Sequence, residues 1–363
     1  MTHRERFRAV LEGKTPDRLP WVPRLDIWYS YHQRNNSLPE KYAGMTLDEV
    51  RKRLNAGKAA RDGIVYVKTI DGFEVREERI GYDLTRYLVT PVGTVREKFS
   101  VNPEFPEGDP MRTEHYIKSV EDYRIMEFAV RNTHWEPAYD TYVQYNEMVG
   151  EEGFPLCHIG DVPMHLIIRE YIGYDRGYLE LFDHEDEVLS LNEAVTESFR
   201  EMQEVVLESP GELFLHGMHF DTQMTPPPFY ERYIMPYYVD FCSRLESRGK
   251  YLAAHEDADA SMLLDLLLRS KIHMVDCFAS QPLVPCRLED AVSAWGDSIV
   301  IWGGIPSTIL CSDLTSKAEF EQYLDLALEL SSRSRMILGV SDNVMPETNI
   351  GRLEQVSHRL REV

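Results

Sequence analysis

The sequence predicts an α/β fold of the (β/α)8 TIM-barrel type, and three observations support this prediction. From about residue 113 onward, apolar segments of strand length alternate with segments of helical periodicity. Most of the apolar segments end in polar, potentially reactive residues, which is where barrel enzymes carry their catalytic groups. The 363 residues are also enough for one such barrel.

Six apolar segments are typical of buried parallel strands, five ending in polar side chains and the sixth in glycine. They are LCHIGD (156–161), LFLHGMHFD (213–221), YLAAHED (251–257), HMVDCF (273–278), MILGVSD (336–342) and IVIWGGIP (299–306). Strands of a barrel end at a common mouth. The polar groups predicted to meet there are His158, Asp161, His219, Asp221, His255, Asp257, Cys277 and Asp342.

The first hundred residues have a different organisation. Residues 2–13 predict a helix, and a first strand is expected within 15–29. Residues 64–99 contain short alternating segments separated by turns, which indicate a β-meander. We interpret it as an insertion that leans over the mouth; an edge hairpin with no catalytic role is the alternative. The expected organisation is therefore a single domain over 1–363 with an insertion at about 64–99.

Composition excludes several classes of function. A net charge of −22 argues against nucleic acid as a partner, because phosphate binding requires clustered Lys and Arg. No apolar run is long enough to cross a membrane. The five cysteines form no CxxC pair, and the N-terminus is a charged amphipathic helix instead of a secretory leader. These features predict reduced thiols and a cytoplasmic protein.

The strand ends offer two kinds of chemistry. His255 and Asp257, two residues apart, suit a divalent metal or an acid/base pair. Alternation along a strand would place His219 and Asp221 on one side. The same argument allows only one member of the Asp276–Cys277 pair to point inward, and a buried core cysteine is the alternative for Cys277. Asp342 could accept a proton, bind the substrate or cap a helix.

Aromatic and methionine side chains are frequent near the predicted mouth. They would form walls for a flat apolar substrate, and core packing is the alternative interpretation. The predicted substrate-binding residues are Trp28, Tyr31, Phe220, Met224 and Trp302.

Several segments together resemble the uroporphyrinogen decarboxylase superfamily, in the same order and over nearly the whole chain. They are MTHRERFRAVLEGKTPDRLPW, HFDTQMTPPPFYERYIMPYY, HED at 255–257, WGGIPSTIL and ILGVSDNVMPETNIGRLEQV. The resemblance implies a (β/α)8 barrel with a deep pocket at the carboxyl ends of the strands. One branch of this superfamily decarboxylates uroporphyrinogen without a cofactor. The other consists of methyltransferases that use zinc and serve corrinoid proteins.

The chain departs from both branches. RLDIWYSYHQRNNSLPEKYAG (24–44) retains LPEKY but has aromatic residues in place of the arginine pair that binds substrate carboxylates in the decarboxylases. Asp257 stands where the methyltransferases have the first zinc-binding cysteine, and Ser341 near the second. The resemblance therefore implies either no metal or a harder site made from His255, Asp257, Cys277 or Asp221, which would bind Zn²⁺ or another borderline metal.

The N-terminal stretch is closer to superfamily members associated with O-demethylation. The leading hypothesis is a methyltransferase that moves a methyl group from a small methoxylated aromatic donor to a corrinoid protein. His255, Asp257 and Asp221 would act at the ether oxygen, with His219, Cys277 and Asp342 auxiliary. The chain has no DxHxxG-type corrinoid signature, so a partner would carry the cobalt.

Two alternatives remain open. A cofactor-free decarboxylase would use Asp221 to stabilise a protonated intermediate, with Arg24 and Arg34 as the nearby basic residues. A non-catalytic protein that binds a tetrapyrrole or corrinoid is the other.

Overall fold

A computed structural model describes residues 1–104 and 110–362. The chain divides into two compact units. The first comprises Met1–Gly63, Tyr142–Gly160 and Gly211–Val363, and the second comprises Ile64–Thr141 and Asp161–Pro210. The expectation of a single domain with one insertion stays a prediction.

The strands, in chain order, are β1 (Tyr66–Ile70), β2 (Glu74–Ile80), β3 (Asp83–Thr90), β4 (Gly93–Ser100), β5 (Met111–Glu114), β6 (Thr133–Pro137), β7 (Leu156–His158), β8 (Leu213–Met218), β9 (Tyr251–His255), β10 (Met274–Phe278), β11 (Val300–Ile305) and β12 (Met336–Val340). The helices are α1 (His3–Leu11), α2 (Asp26–Arg34), α3 (Leu47–Arg53), α4 (Val120–Arg131), α5 (Tyr139–Val149), α6 (Pro163–Leu166), α7 (Tyr174–Asp183), α8 (Glu185–Glu208), α9 (Pro227–Phe229), α10 (Met235–Glu246), α11 (Leu264–Arg269), α12 (Leu288–Trp295), α13 (Lys317–Ser331) and α14 (Ile350–Glu362). Across the described ranges, no helix combines the length and the apolar character needed to span a membrane.

The first unit contains a six-stranded parallel sheet in the order β12-β11-β10-β9-β8-β7. These strands are the six segments predicted from the sequence, so the α/β class and the parallel sheet are confirmed. Each strand is apolar along nearly its whole length, because helices cover one face of the sheet and the core covers the other.

Two short extended segments continue this sheet. Trp21 bridges Leu338 of β12, and Gly63 bridges Cys157 of β7. The amide of Gly57 also donates to the carbonyl of Trp21, with an N···O distance of 2.8 Å. The strand expected within 15–29 is therefore reduced to a single bridge. The prolines at 20 and 23 on either side of Trp21 cannot donate to a ladder, and helix α2 begins at Asp26.

The core of the first unit lies between helix α1 and the parallel sheet. Phe7, Val10 and Leu11 of α1 pack against side chains of β7 to β12. The ring of Phe7 meets Trp302 edge-on, with the centroids 5.1 Å apart. A capping box between Thr2 and Glu5 fixes the start of α1.

The second unit contains the predicted meander as β2 to β4, extended by β5, whereas β1, expected as its first segment, belongs to a different sheet. Strands β2, β3, β4 and β5 pair antiparallel in that order, and β1 pairs with β6. One face of β4 is buried, and it includes Glu97, which is 2% exposed. Arg86 and Arg112 each donate to its carboxylate at 2.9 Å, which compensates for burying the charge.

Candidate functional site

The ends of β9, β10 and β12 bring three predicted residues together around His255. Its Nε2 lies 3.4 Å from Asp257 Oδ2 and 3.7 Å from Asp342 Oδ1. Its Nδ1 is 2.8 Å from Asp276 Oδ2. The imidazole is thus held on one nitrogen by a buried carboxylate and has two further carboxylates beside the other.

His219 joins this cluster from the end of β8. Its Nδ1 lies 2.6 Å from Asp257 Oδ1, and its amide donates to the carbonyl of His255 at 2.9 Å. His219 adopts a left-handed backbone with φ of 57°, which turns its side chain toward β9. Ligand atoms of His219, His255 and Asp257 lie within 4.8 Å of one another.

Asp276 and Cys277 both face the cluster, which corrects the expectation that only one could. Cys277 adopts a left-handed backbone with φ of 60°, and the register of β10 with β11 shifts between Asp276 and Phe278. Such a bulge aims two consecutive side chains to the same side. Gly303 on β11 permits the bulge, since a Cβ there would lie 2.7 Å from the amide nitrogen of Phe278.

Two arginines complete the cluster. Arg61 Nη1 donates to Asp276 Oδ1 at 2.6 Å, and Arg24 Nη1 donates to Asp342 Oδ1 at 2.6 Å. The same two nitrogens lie 3.8 and 3.7 Å from Cys277 Sγ. Sequence analysis missed Arg61, because the only signal was a basic residue in an unpatterned stretch before Gly63.

The proximity of these groups shifts their pKa values. Burial alone would lower the pKa of His255, but Cys277, Asp257 and Asp276 raise it well above its usual value. Burial would raise the pKa of Asp276, but Arg61 and His255 hold it far below the usual range. The cluster therefore keeps an imidazolium beside ionised carboxylates at neutral pH.

Asp221 lies outside this arrangement. Its Oδ1 accepts from the amides of Gln223 and Met224 at 2.8 and 3.1 Å, and its Oδ2 accepts from the amide of Asp259 at 3.3 Å. The expected shared side with His219 does not occur, because β8 ends at Met218 and His219 is left-handed. In the structure the Asp221 carboxylate organises the loop after β8.

The predicted aromatic wall is mostly core. Trp28 is 1% exposed and meets Tyr42 edge-on, and Phe220 is fully buried against Tyr230 and Tyr238. Trp302 is 3% exposed and donates from Nε1 to the carbonyl of Val22. These contacts are those of core packing, and a role of the three residues in binding a substrate stays a prediction.

Tyr31 and Met224 differ from those three in exposure. Tyr31 is half-buried beside the ring of His32, and Met224 is 41% exposed. They are the members of the predicted wall that a ligand can reach.

Two further strand-end residues have other contacts. His158 Nε2 lies 3.1 Å from Met218 Sδ. Asp161 belongs to the second unit, where its Oδ2 lies 2.8 Å from His165 Nδ1 and accepts from Arg169 Nε at 3.0 Å. The Asp161 carboxylate is therefore part of a buried hydrogen-bond network of its own unit.

The fold is similar to that of a solved methyltransferase from Methanosarcina mazei, with a TM-score of 0.56 and 12% sequence identity. The match covers 100% of this chain and 99% of that chain. At this identity the likeness shows the fold alone. No family model and no curated protein matches the chain.

Glu256 lies between His255 and Asp257 in the sequence, and its pKa is shifted in the opposite direction from those of the nearby carboxylates Asp257 and Asp276. It is fully buried, and neither carboxyl oxygen has a hydrogen-bond partner within the described part of the chain. Burial raises the pKa of Glu256 well above its usual value, and repulsion from the charge of Asp257 raises it further. Glu256 is therefore a neutral acid next to an imidazolium.

This state predicts a pH-dependent gain in stability for Glu256→Gln. The unfolded carboxyl ionises above about pH 4.5 while the folded one stays protonated, so wild-type stability falls as pH rises toward the raised pKa. The gain should grow by up to about 1.4 kcal/mol for each pH unit in that window. Urea unfolding of the wild type and the variant at about pH 5 and about pH 8 measures this gain. An equal difference in unfolding free energy at the two pH values would contradict a neutral Glu256.

Proposed function

We propose that the protein is a methyltransferase that transfers a methyl group from a small methoxylated donor, an aromatic one in the leading case, to a corrinoid protein. The observation that carries this proposal is the His255 cluster at the carboxyl edge of the parallel sheet. The similarity to a methyltransferase fold supports it. An ether oxygen is a poor leaving group, so the reaction needs an acid at that oxygen.

We also propose a barrel and a superfamily for this chain. The hydrogen bond from Gly57 to Trp21 joins the two segments that extend the sheet at either side. This bond supports closure into a (β/α)8 barrel, as the uroporphyrinogen decarboxylase superfamily would require.

His255 is the proton donor in this proposal. Its raised pKa keeps Nε2 protonated at neutral pH, next to the carboxylates of Asp257 and Asp342. Asp276, itself fixed by Arg61, accepts from Nδ1 and sets the orientation of the ring. As the methyl group leaves, the Nε2 proton moves to the donor oxygen and the phenol product departs neutral.

As an alternative to the acid role, a metal ion could displace the Nε2 proton of His255 and be held by His219, His255 and Asp257. Two imidazoles and a carboxylate are donors that Zn²⁺ accepts. Cys277 fits less well than predicted, because Arg24 and Arg61 place two guanidinium charges beside its sulfur. A bound zinc ion would supply Lewis-acid polarisation of the ether oxygen.

The methyl acceptor is proposed to be a separate protein. The chain lacks a DxHxxG-type corrinoid signature, so a partner would carry the cobalt to the mouth. The acidic composition agrees with a protein and a small-molecule substrate as partners, and not with nucleic acid.

Metal content tests the ligand set. We expect about one zinc per chain in the wild type after incubation with Zn²⁺ and dialysis, and loss of it in His255→Ala and in His219→Ala. Cys277→Ser should retain the metal, because the two arginines disfavour a cation at that sulfur. Elemental mass spectrometry measures all four proteins. Retention in His255→Ala would refute this ligand set, and loss in Cys277→Ser would restore the thiol as a ligand.

A decarboxylase is the second candidate, and one observation favours it. Arg24 and Arg61 reach the same cluster, where guanidinium groups could bind a substrate carboxylate. The two reactions differ in product. Incubation with methoxylated aromatic acids and cob(I)alamin should give the phenol for a methyltransferase, whereas release of CO₂ with the methoxy group intact would favour the decarboxylase.

A further inference from the structure

Helix α7 in the second unit turns apolar side chains outward. Its exposed positions are Asp175, Leu179, Phe182 and Asp183, which recur at helical spacing along one side. Leu179 is 64% exposed and Phe182 is 85% exposed. These residues lie three apart and are neighbours on the helix surface.

The buried positions of α7 are a glycine and a carboxylate. Gly177 is buried, since a Cβ at this position would lie 2.7 Å from Ile168 Cγ2. Glu180 is also buried, with its carboxylate bonded to Tyr123 Oη at 3.0 Å and to Arg176. The helix thus buries a carboxylate and presents leucine and phenylalanine to the outside, so its packing within the unit does not explain the two apolar residues.

Acidic side chains surround the apolar pair along the chain. Asp175 precedes it, and Asp183 and Asp186 follow it, all exposed. These charges disfavour three occupants. Nucleic acid and an anionic membrane carry the same sign of charge, and a second copy would bring the same acidic residues against themselves.

We propose that Leu179 and Phe182, with the surrounding carboxylates, form a docking surface for a basic amphipathic helix of a partner protein. The apolar pair enters the hydrophobic stripe of that helix, and the three carboxylates of Asp175, Asp183 and Asp186 face lysines or arginines at its borders. The surface is a feature of the second unit alone and goes beyond the proposed methyl transfer.

A synthetic lysine/leucine amphipathic helical peptide tests this surface on the full-length protein. Fluorescence anisotropy should show binding to the wild type and a loss of about tenfold or more in affinity for Phe182→Ser and for Leu179→Ser. Asp183→Lys with Asp186→Lys should weaken binding as well. Added salt should lower the affinity of the wild type, because the borders of the contact are charged.

Two controls make the result specific. Leu314→Ser removes a side chain that is 67% exposed in the first unit, and it should bind the peptide like the wild type. A matched glutamate/leucine peptide should not bind. Equal affinity in all variants, or no binding to the wild type, would overturn the proposal. So would a wild-type dimer in sedimentation equilibrium that Phe182→Ser abolishes, because the occupant would then be a second copy.

Discussion

Replacing His255 with alanine is expected to reduce methyl transfer by about 10²- to 10⁴-fold, the usual contribution of one general acid. His255 is the one imidazole held between Asp276 on Nδ1 and both Asp257 and Asp342 near Nε2 in the part of the chain the structure describes. Its loss removes the proton donor or, where a metal takes the place of the Nε2 proton, one of the proposed metal ligands. The assay uses a methoxylated aromatic donor with cob(I)alamin as the methyl acceptor. Chromatography measures the amount of phenol formed.

A matched control separates this role from general damage. His134, half-exposed on β6, lies in the second unit beside Glu201, and His134→Ala should retain wild-type rates. Both variants should keep the wild-type circular dichroism spectrum. Full activity in a folded His255→Ala protein would exclude His255 as the acid and redirect attention to His219.

Asp276→Ala is expected to cost about 3–5 kcal/mol of unfolding free energy, the range found when one partner of a buried ion pair is removed. The side chain of Asp276 is fully buried, and it neutralises Arg61 while accepting from His255. Without it, two cationic groups would face each other with no carboxylate between them. The midpoint of urea unfolding measures the loss.

A double replacement tests the physical reason for that cost. Arg61→Met together with Asp276→Leu removes both charges and restores apolar contacts, so it should be more stable than Asp276→Ala alone. Circular dichroism at increasing urea concentration compares them. A double variant that is less stable than the single one would show that these side chains contribute through packing rather than through charge.

The sequence predicted the strands of the parallel sheet well, because buried parallel strands are apolar throughout and bounded by polar ends. Strand β9 (Tyr251–His255) lies within the predicted segment 251–257, whose last residues are polar as expected. The first strand was predicted poorly. Pro20 and Pro23 limit the pairing of this segment to a single bridge between Trp21 and Leu338. No local sequence pattern reveals that Leu338 is the partner.

The site was predicted in part for a related reason. His255, Asp257 and Asp342 follow regular strands, so their shared position could be inferred from the fold class. The inward turn of both Asp276 and Cys277 could not, since it requires a left-handed residue and a register shift that alternation does not foresee. Arg61 was missed because it reaches Asp276 across 215 residues of sequence.

The backbone at His219 and Cys277 has a further consequence. Both are non-glycine residues in the left-handed region, with φ of 57° and 60°, where glycine would cost less energy. Cys277 lies on β10 and His219 directly follows β8, the two strands that flank β9. The fold therefore gives up stability on both sides of His255 to aim a functional side chain. Selection for thermal stability alone would favour glycine at both positions, and activity would decline as melting temperature rose.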